Sequence, residues 1–336
     1  MKVAITGASG FIGRHLLVEF QRRQWPVRAL QHRSPLASNA PHETVVGDIG
    51  DSDAPYQIVA GDIGDSAALK QLTQGADMLF HLAAALGASL ISEEDFFRIN
   101  VEGTRNALEA AKANRVKRVI HFSSAGVLGA VKEGEVADEL YPARPRNIYD
   151  STKLEAEKEA LRFAGEGMDM VIVRPGWVYG PADRRTFKLI KAIAKGRFAL
   201  VTRGEAWQTP IYIDDLVQGV LLCAERGFSG EVYNIAGDEV LPVREIAAAI
   251  AEVTQRRLPS FTLPLLPVKT AAKIMEKAFA LFKKESPLTT GRLAFFIHPK
   301  PLSIAKAAKE LGFAPRVDFK TGMMQTVAWC KDHDWL

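Results

Sequence analysis

Cysteine is nearly missing from this chain: Cys223 and Cys330 are the two examples, far apart and outside any C-x-x-C spacing. That excludes a disulfide framework and a zinc ribbon. It leaves two reduced thiols, a cytoplasmic location and no metal site as the expectation. No apolar run approaches the roughly 20 residues that a bilayer-spanning helix needs. Residues 1–5 run straight into a glycine motif and read as a strand rather than a secretory leader. A large charge of one sign is also missing. Lys and Arg number 43 against 39 Asp and Glu, a net +4, which is no electrostatic footprint for nucleic acid.

What is present is an ordinary globular balance, 47% hydrophobic and 24% charged. A length of 336 residues suits one large α/β domain, or such a domain with a smaller cap. An apolar run at 2–6 leads into Gly7, Gly10 and Gly13, and then into a helical pattern with Ile12, Leu16, Leu17 and Phe20 on one face. Further strand patterns fall at 26–30, 57–60, 78–82, 119–122 and 170–174, with helical patterns at 67–74, 96–114 and 151–164. Strands alternating with helices at this spacing predict an α/β fold, a doubly wound parallel sheet with helices on both faces. Beyond Tyr179 the alternation loosens, with helices expected at 241–256, starting after Pro242, and at 268–284. The division expected is a dinucleotide-binding domain over 1–180. Residues 181–336 then form mainly an α/β substrate-binding cap, with segments returning to the main sheet. Residues 45–52 (VVGDIGDS) and 59–66 (VAGDIGDS) nearly repeat each other. The repeat is too short for a solenoid and reads as a duplication that lengthened a loop.

Gly7, Gly10 and Gly13 form G-x-x-G-x-x-G between a strand and a helix. Glycine is required there for a tight turn, for close approach of the backbone to a pyrophosphate, and for close packing of helix on strand. The backbone at Gly7, Gly10, Phe11, Ile12 and Gly13 is therefore a candidate dinucleotide cradle, with helix N-terminal amides facing the phosphates. An acidic residue at the end of the second strand would bond the adenosine 2′-hydroxyl of NAD. No Asp or Glu occurs between Phe20 and His42, and His32 and Arg33 stand there instead, with Arg14 placed to assist. These cations either lie in water or meet a 2′-phosphate, and the second reading favours NADP over NAD.

Tyr149 and Lys153 form Y-x-x-x-K on an expected helix. Residues four apart share a helical face, so both side chains can enter one site. A phenol with an ordinary pKa near 10 needs about 4 kcal/mol of differential stabilisation to become a base near neutrality. A neighbouring lysine and an oxidised nicotinamide would supply it. Ser124, just after the strand at 119–122, can donate to a substrate oxygen.

The motifs together resemble the extended short-chain dehydrogenase/reductase family, which includes the NAD-dependent epimerases and dehydratases. The resemblance runs along most of the chain. It takes in TGASGFIG at 6–13, GDI at 61–63, HLAA at 81–84 and Asn100 with Gly103 and Thr104. It continues with FSSAGVLG at 122–129, YDSTK at 149–153, RPGWVYGP at 174–181, IDD at 213–215 and YNIAG at 233–237. The resemblance implies a Rossmann-like fold, with Ser124 and Tyr149 polarising the substrate oxygen and Lys153 holding the nicotinamide ribose. It also implies that Asp62 and Ile63 sit by the adenine, and that Leu82, Ala83, Ala84, Pro175 and Val178 line the cofactor.

Three departures narrow the branch. Nucleotide-sugar members usually carry Asn after the glycine of RPG and an arginine seven residues before the second Asp of IDD; here these are Trp177 and Gln208. A diphosphate site lacking two such donors binds poorly, because charge-assisted contacts dominate phosphate recognition. Sugar 4,6-dehydratases place Asp-Glu after the catalytic hydroxyl; here Ala125 and Gly126 follow Ser124. Apolar residues from Leu263 to Phe296, interspersed with Lys269, Lys273, Lys277, Lys283 and Lys284, resemble the 3β-hydroxysteroid dehydrogenase and 3-ketoalkanoate reductase branch. The stretch 268–284 is either an amphipathic helix packed on the body with its lysines in water, or a weak contact with a membrane surface. The activity expected is NAD(P)-dependent interconversion of a secondary alcohol and a ketone on an apolar small molecule. A nucleotide-sugar epimerase and a non-catalytic dinucleotide sensor are the alternatives, and a homodimer stays open.

Overall fold

The computed structural model describes residues 1–31, 56–86, 91–282, 284, 286 and 288–336. Short apolar runs in the first half become strands: β1 (Val3–Thr6), β2 (Val27–Gln31), β3 (Tyr56–Ala60), β4 (Met78–His81), β5 (Arg118–Phe122) and β6 (Met170–Pro175). Between them lie α1 (Phe11–Arg22), α2 (Ser66–Thr73), α3 (Glu93–Phe97), α4 (Gly103–Ala113) and α5 (Ile148–Gly165). The helix expected at 96–114 begins earlier, and a π-helical turn, Arg98–Glu102, separates α3 from α4. Asp65 caps α2 by accepting from Ala67 N and Ala68 N, both at 3.0 Å. The second copy of the near-repeat is thus the end of β3, a turn and this cap. The first copy, at 45–52, lies outside the described residues.

The later elements are β7 (Trp177–Tyr179), α6 (Arg184–Ala194), β8 (Trp207–Gln208), β9 (Pro210–Tyr212), α7 (Ile213–Arg226), β10 (Val232–Ile235) and β11 (Leu241–Pro242). Then follow α8 (Val243–Val253), α9 (Leu265–Leu281), α10 (Thr290–Ile297), α11 (Ala305–Leu311) and α12 (Phe319–Asp332). Of two helix starts beside prolines, the first falls where expected and the second does not. Residues 241–242 form a strand paired with β8, so α8 starts after Pro242. Helix α9 starts before Pro267, which sits in the first turn, where a missing N–H costs no helical bond.

One sheet of seven strands runs in the order β3-β2-β1-β4-β5-β6-β10, with every neighbour parallel. Strand β10, from the second half of the chain, therefore completes the sheet begun in the first. Strands covered on both faces read as continuous apolar runs because alternate residues enter opposite cores. Val3, Ile5 and Phe80 join Leu16, Leu17 and Phe20 of α1 and Leu216 and Val220 of α7. Ala4 and Leu79 join Leu69 and Leu72 of α2, Leu108 of α4 and Phe163 of α5. The connection order reverses between β1 and β4, and in such sheets a ligand crevice opens beyond the carboxyl ends of the strands at that point. The remaining second-half strands form two small pairs, β7 with β9 and β8 with β11.

Candidate active site

The glycine loop lies at that crevice. Gly7 has φ +74°, and a Cβ there would stand 2.8 Å from Ala83 N and from the Leu82 carbonyl carbon. A Cβ on Gly13 would stand 2.3 Å from Gly7 O. Both contacts are with backbone, so no rotamer relieves them. Gly10 N donates to Gly7 O at 3.1 Å and closes the turn. Helix α1 has no side-chain cap. Its backbone ladder starts at Arg14 N, which bonds Gly10 O at 3.0 Å, so the amides of Phe11, Ile12 and Gly13 lack helical acceptors. Glycine-tight backbone and open amides at a helix N-terminus together fit a dinucleotide pyrophosphate. Arg14 Nε is bonded to Ser9 O at 2.9 Å, within the same loop. His32 and Arg33 lie outside the described residues.

Across the crevice, the strand following the switch is held by a buried polar chain. Thr104 Oγ1 donates to Asn100 O at 2.6 Å and so accepts from His81 Nε2 at 2.9 Å. That places the proton on Nε2 and makes Nδ1 the acceptor for Thr6 Oγ1, 2.8 Å away. Ala83 N in turn donates to Thr6 Oγ1 at 3.2 Å. Burial pushes His81 down to about 3, with Lys153 acting in the same direction, so the ring is neutral. Asn100, on the π-helical turn, accepts from Ala85 N at 2.7 Å and donates to Thr152 Oγ1 at 2.9 Å. The loop carrying Leu82, Ala83 and Ala84 is thereby tied to helix α5. Asp62 accepts from Gly64 N at 2.8 Å in the turn after β3, and Ile63 packs beneath Gly103. Pro175 is buried at the end of β6, and Val178 is half-buried in β7.

Helix α5 starts at the Asn147 cap, whose side chain accepts from Asp150 N at 2.8 Å. Tyr149 stands in its first turn and Lys153 one turn further on. The structure brings Ser124 near enough to Tyr149 to act on the phenol, and Ser124 Oγ accepts from Gly126 N at 3.0 Å. Burial raises the Tyr149 pKa; Arg185 and Ser124 oppose that rise, and Asp150 reinforces it. Arg185, at the start of α6, is a cation close enough to act on the phenol. Lys153 Nζ donates to the Phe122 carbonyl. Burial brings Lys153 down to about 8, while Glu157, one turn further along α5, works against that fall.

Glu157 is itself buried and paired. It accepts from Ser123 Oγ at 2.5 Å and from Arg174 Nε at 3.0 Å, and it also takes the Arg174 Nη2 bond. Ser123, Glu157 and Arg174 thus brace the strand ends that carry Ser124 and Pro175. Sequence reasoning assigned Glu157 and Arg185 no role. The four-residue step from Lys153 to Glu157 was the available signal for the first, and nothing local marks the second.

On the other side, Trp177 meets Phe295 with ring centroids 4.7 Å apart, and Tyr179 and Phe319 at 5.9 Å each. Gln208 is buried, and its Nε2 donates to Phe295 O at 2.8 Å and His298 O at 2.9 Å. Its amide therefore anchors the end of α10. A cleft of about 230 Å³ lined by Lys2, Pro26, Arg28 and Gln74 lies at the opposite, amino edge of the sheet and carries none of these groups.

Residues 3–236 match the model of the NAD dependent epimerase/dehydratase family. The chain belongs to that family. It is 31% identical to a 4-hydroxy-2-methyl-3-oxo-4-farnesyl-3,4-dihydroquinoline-1-oxide ketoreductase of Stigmatella aurantiaca, over 96% of this chain and 95% of that one. It is 28% identical to a 3-beta-hydroxysteroid dehydrogenase of Mycolicibacterium neoaurum, over 98% of this chain and 92% of the relative. Among solved structures it is similar to MoeE5 in complex with UDP-glucuronic acid and NAD. That likeness has a TM-score of 0.76 and 26% identity, and it covers 99% of this chain and all of the other. The protein is an NAD(P)-dependent oxidoreductase of the extended short-chain dehydrogenase/reductase type. No helix among the described residues is long and apolar enough to cross a membrane.

Proposed function

We propose that this enzyme interconverts a ketone and a secondary alcohol on an apolar small molecule, with NADP(H) preferred over NAD(H). The observation that carries the substrate class is the aromatic wall around Trp177. Trp177 and Phe295 face each other there, and the Gln208 amide is consumed by two backbone carbonyls. A sugar-nucleotide diphosphate would need charge-assisted donors at 177 and 208; position 177 instead holds a ring packed among aromatics, and the amide at 208 is bonded to backbone. The similarity to a farnesyl-dihydroquinoline ketoreductase and to a steroid dehydrogenase supports the same reading.

The glycine loop and the open amides of α1 would hold the pyrophosphate, and Lys153 the nicotinamide ribose. The nicotinamide, when bound, supplies or removes the hydride. Tyr149 supplies the proton in the reducing direction: its raised pKa keeps the phenol protonated at neutral pH, the form a donor needs. Ser124, close to that phenol, stabilises charge developing on the substrate oxygen. Arg185 lowers the cost of the phenolate left behind. Support for NADP(H) comes from the stretch between Phe20 and His42, which lacks any acid and carries His32 and Arg33.

A substrate screen with NADPH, setting apolar ketones against nucleotide sugars, tests the reading. Oxidation of NADPH by an apolar ketone is the expected result. Micromolar binding of a UDP- or dTDP-sugar to the cofactor-loaded enzyme would restore the epimerase. Fluorescence titration should find NADPH tighter than NADH, and Arg33→Ala should narrow the difference; equal affinities would remove the NADP assignment.

A further inference from the structure

Helix α9 turns an apolar face outward. Its inward positions are Leu265, Val268, Ala272, Met275 and Phe279, which are buried or half-buried. At about 100° per residue, the opposite side carries Leu266, Ile274 and Leu281. These are exposed at 77%, 63% and 83%, and Phe282, next in the chain, at 74%. Along one flank of this stripe run Lys269, Lys273 and Lys277, all exposed and each four residues from the next. The acid of this helix, Glu276, points the other way: its Oε1 accepts from Thr290 N at 2.9 Å and Thr290 Oγ1 at 3.2 Å. The outward face of α9 therefore presents alkyl groups and positive charge, with no carboxylate of its own to neutralise it.

We propose that this face docks on the surface of an anionic lipid bilayer. Alkyl side chains in a stripe enter the boundary between headgroups and acyl chains, while lysine stems lie along the stripe and hold their ammonium groups at headgroup level. A second copy of the chain fits less well. Packing the face on itself would bring both lysine rows into one desolvated patch with no acid from either copy's α9. The contact is peripheral, since no helix among the described residues is long and apolar enough to cross a membrane. Helix α9 packs on α10, and α10 supplies Phe295 to the Trp177 wall. Docking through α9 would bring that wall close to the bilayer, so a lipid-dissolved ketone could be taken up from the membrane. That last consequence rests on the apolar-ketone reading, whereas the docking does not.

Flotation of the full chain with vesicles, without substrate or cofactor, tests the docking separately from the substrate screen. Vesicles of phosphatidylcholine with phosphatidylglycerol should carry the protein at low salt, and phosphatidylcholine alone should carry far less. Replacing Lys269, Lys273 and Lys277 together by Gln should weaken partitioning on the order of 10²-fold. Ile274→Ser with Leu281→Ser should weaken it about 10-fold or more. Both variants alter exposed side chains, and unchanged circular dichroism and unchanged turnover in vesicle-free buffer would show that the fold is intact. The proposal is overturned by wild-type protein that ignores both vesicle types, or by partitioning that the lysine variant leaves unchanged. It is equally overturned by a wild-type dimer that the Ile274 and Leu281 changes convert to monomer, which would assign the face to a second copy.

Discussion

Lys153 places an ammonium in the protein interior, and the fold should be less stable for it. The residue is 3% exposed, and its pKa is brought from 10.5 to about 8 by burial. That difference corresponds to about 3 kcal/mol of penalty on the folded state while the group is charged. The hydrogen bond to the Phe122 carbonyl offsets part of it, since a charged hydrogen bond contributes about 1.5–3 kcal/mol. Lys153→Met keeps the length of the side chain and removes the charge, so it should stabilise the cofactor-free protein by about 1 kcal/mol at neutral pH. The sign with pH follows from proton binding. Below about 8 both folded and unfolded chains carry the proton and the penalty is full; between about 8 and 10.5 only the unfolded chain binds it. Wild-type stability should therefore gain about 3 kcal/mol on the variant across that window, so the difference should reverse sign before its upper end. Cofactor affinity should move the opposite way, falling about 10- to 10²-fold in the variant as charge-assisted bonds to the ribose are lost. Urea unfolding near neutrality and near the top of the window, with fluorescence titration of cofactor, measures both. A variant less stable than wild type near neutrality, or a gap that ignores pH, would refute the reasoning.

Tyr149→Phe should lower kcat by about 10²–10⁴ while cofactor affinity stays close to wild type, because a proton donor is lost and the cradle is not; near-normal turnover would remove Tyr149 from the chemistry. Gly13→Ala should abolish measurable cofactor binding, since its Cβ would meet Gly7 O at 2.3 Å and displace the loop, and calorimetry with NADPH reads this directly. Glu157→Gln should destabilise the fold by about 3–5 kcal/mol by unpairing buried Arg174. In the same variant the pH at which cofactor affinity falls should move below about 8, because Glu157 holds the Lys153 pKa up. An unmoved midpoint would leave Glu157 a purely structural residue.

The main sheet was legible because its strands are buried on both faces and so read as apolar runs between amphipathic helices. The expected strand at 170–174 and observed β6 differ by one residue, Pro175. The π-helical turn was not legible: Arg98, Ile99, Asn100, Val101 and Glu102 carry no breaker, and the turn shows itself only in the partners of Asn100 on two other elements. The meeting of Ser124 with Tyr149 was expected from motif spacing together with a family likeness. The destination of the Lys153 ammonium was not, because a backbone carbonyl as partner leaves no trace in side-chain identities. Gln208 shows the limit in another form. Its identity signalled a missing arginine, but its bonds to Phe295 and His298 join residues far apart in the chain.

Which chemistry the site can host depends as much on where a side chain cannot stand as on the groups present. Ser124 is followed by buried Ala125 and by Gly126. A Cβ on Gly126 would lie 1.9 Å from Asp150 Oδ1 and 2.7 Å from its Cγ. Asp150 cannot simply swing aside: its Oδ2 takes a 2.6 Å bond from Asn147 Nδ2, and its backbone N–H is held by the same cap at the start of α5. An acidic residue at 126 would require that cap to be rebuilt, and the cap residue Asn147 stands two residues before Tyr149. Elimination of water from a sugar needs an acid and a base in addition to the phenol, and the positions after the serine offer neither. On the proposed reading the proton traffic is left to Tyr149, with Ser124 near it. One proton donor, one oxygen-polarising hydroxyl and a dinucleotide cradle are what the proposed ketone–alcohol interconversion requires.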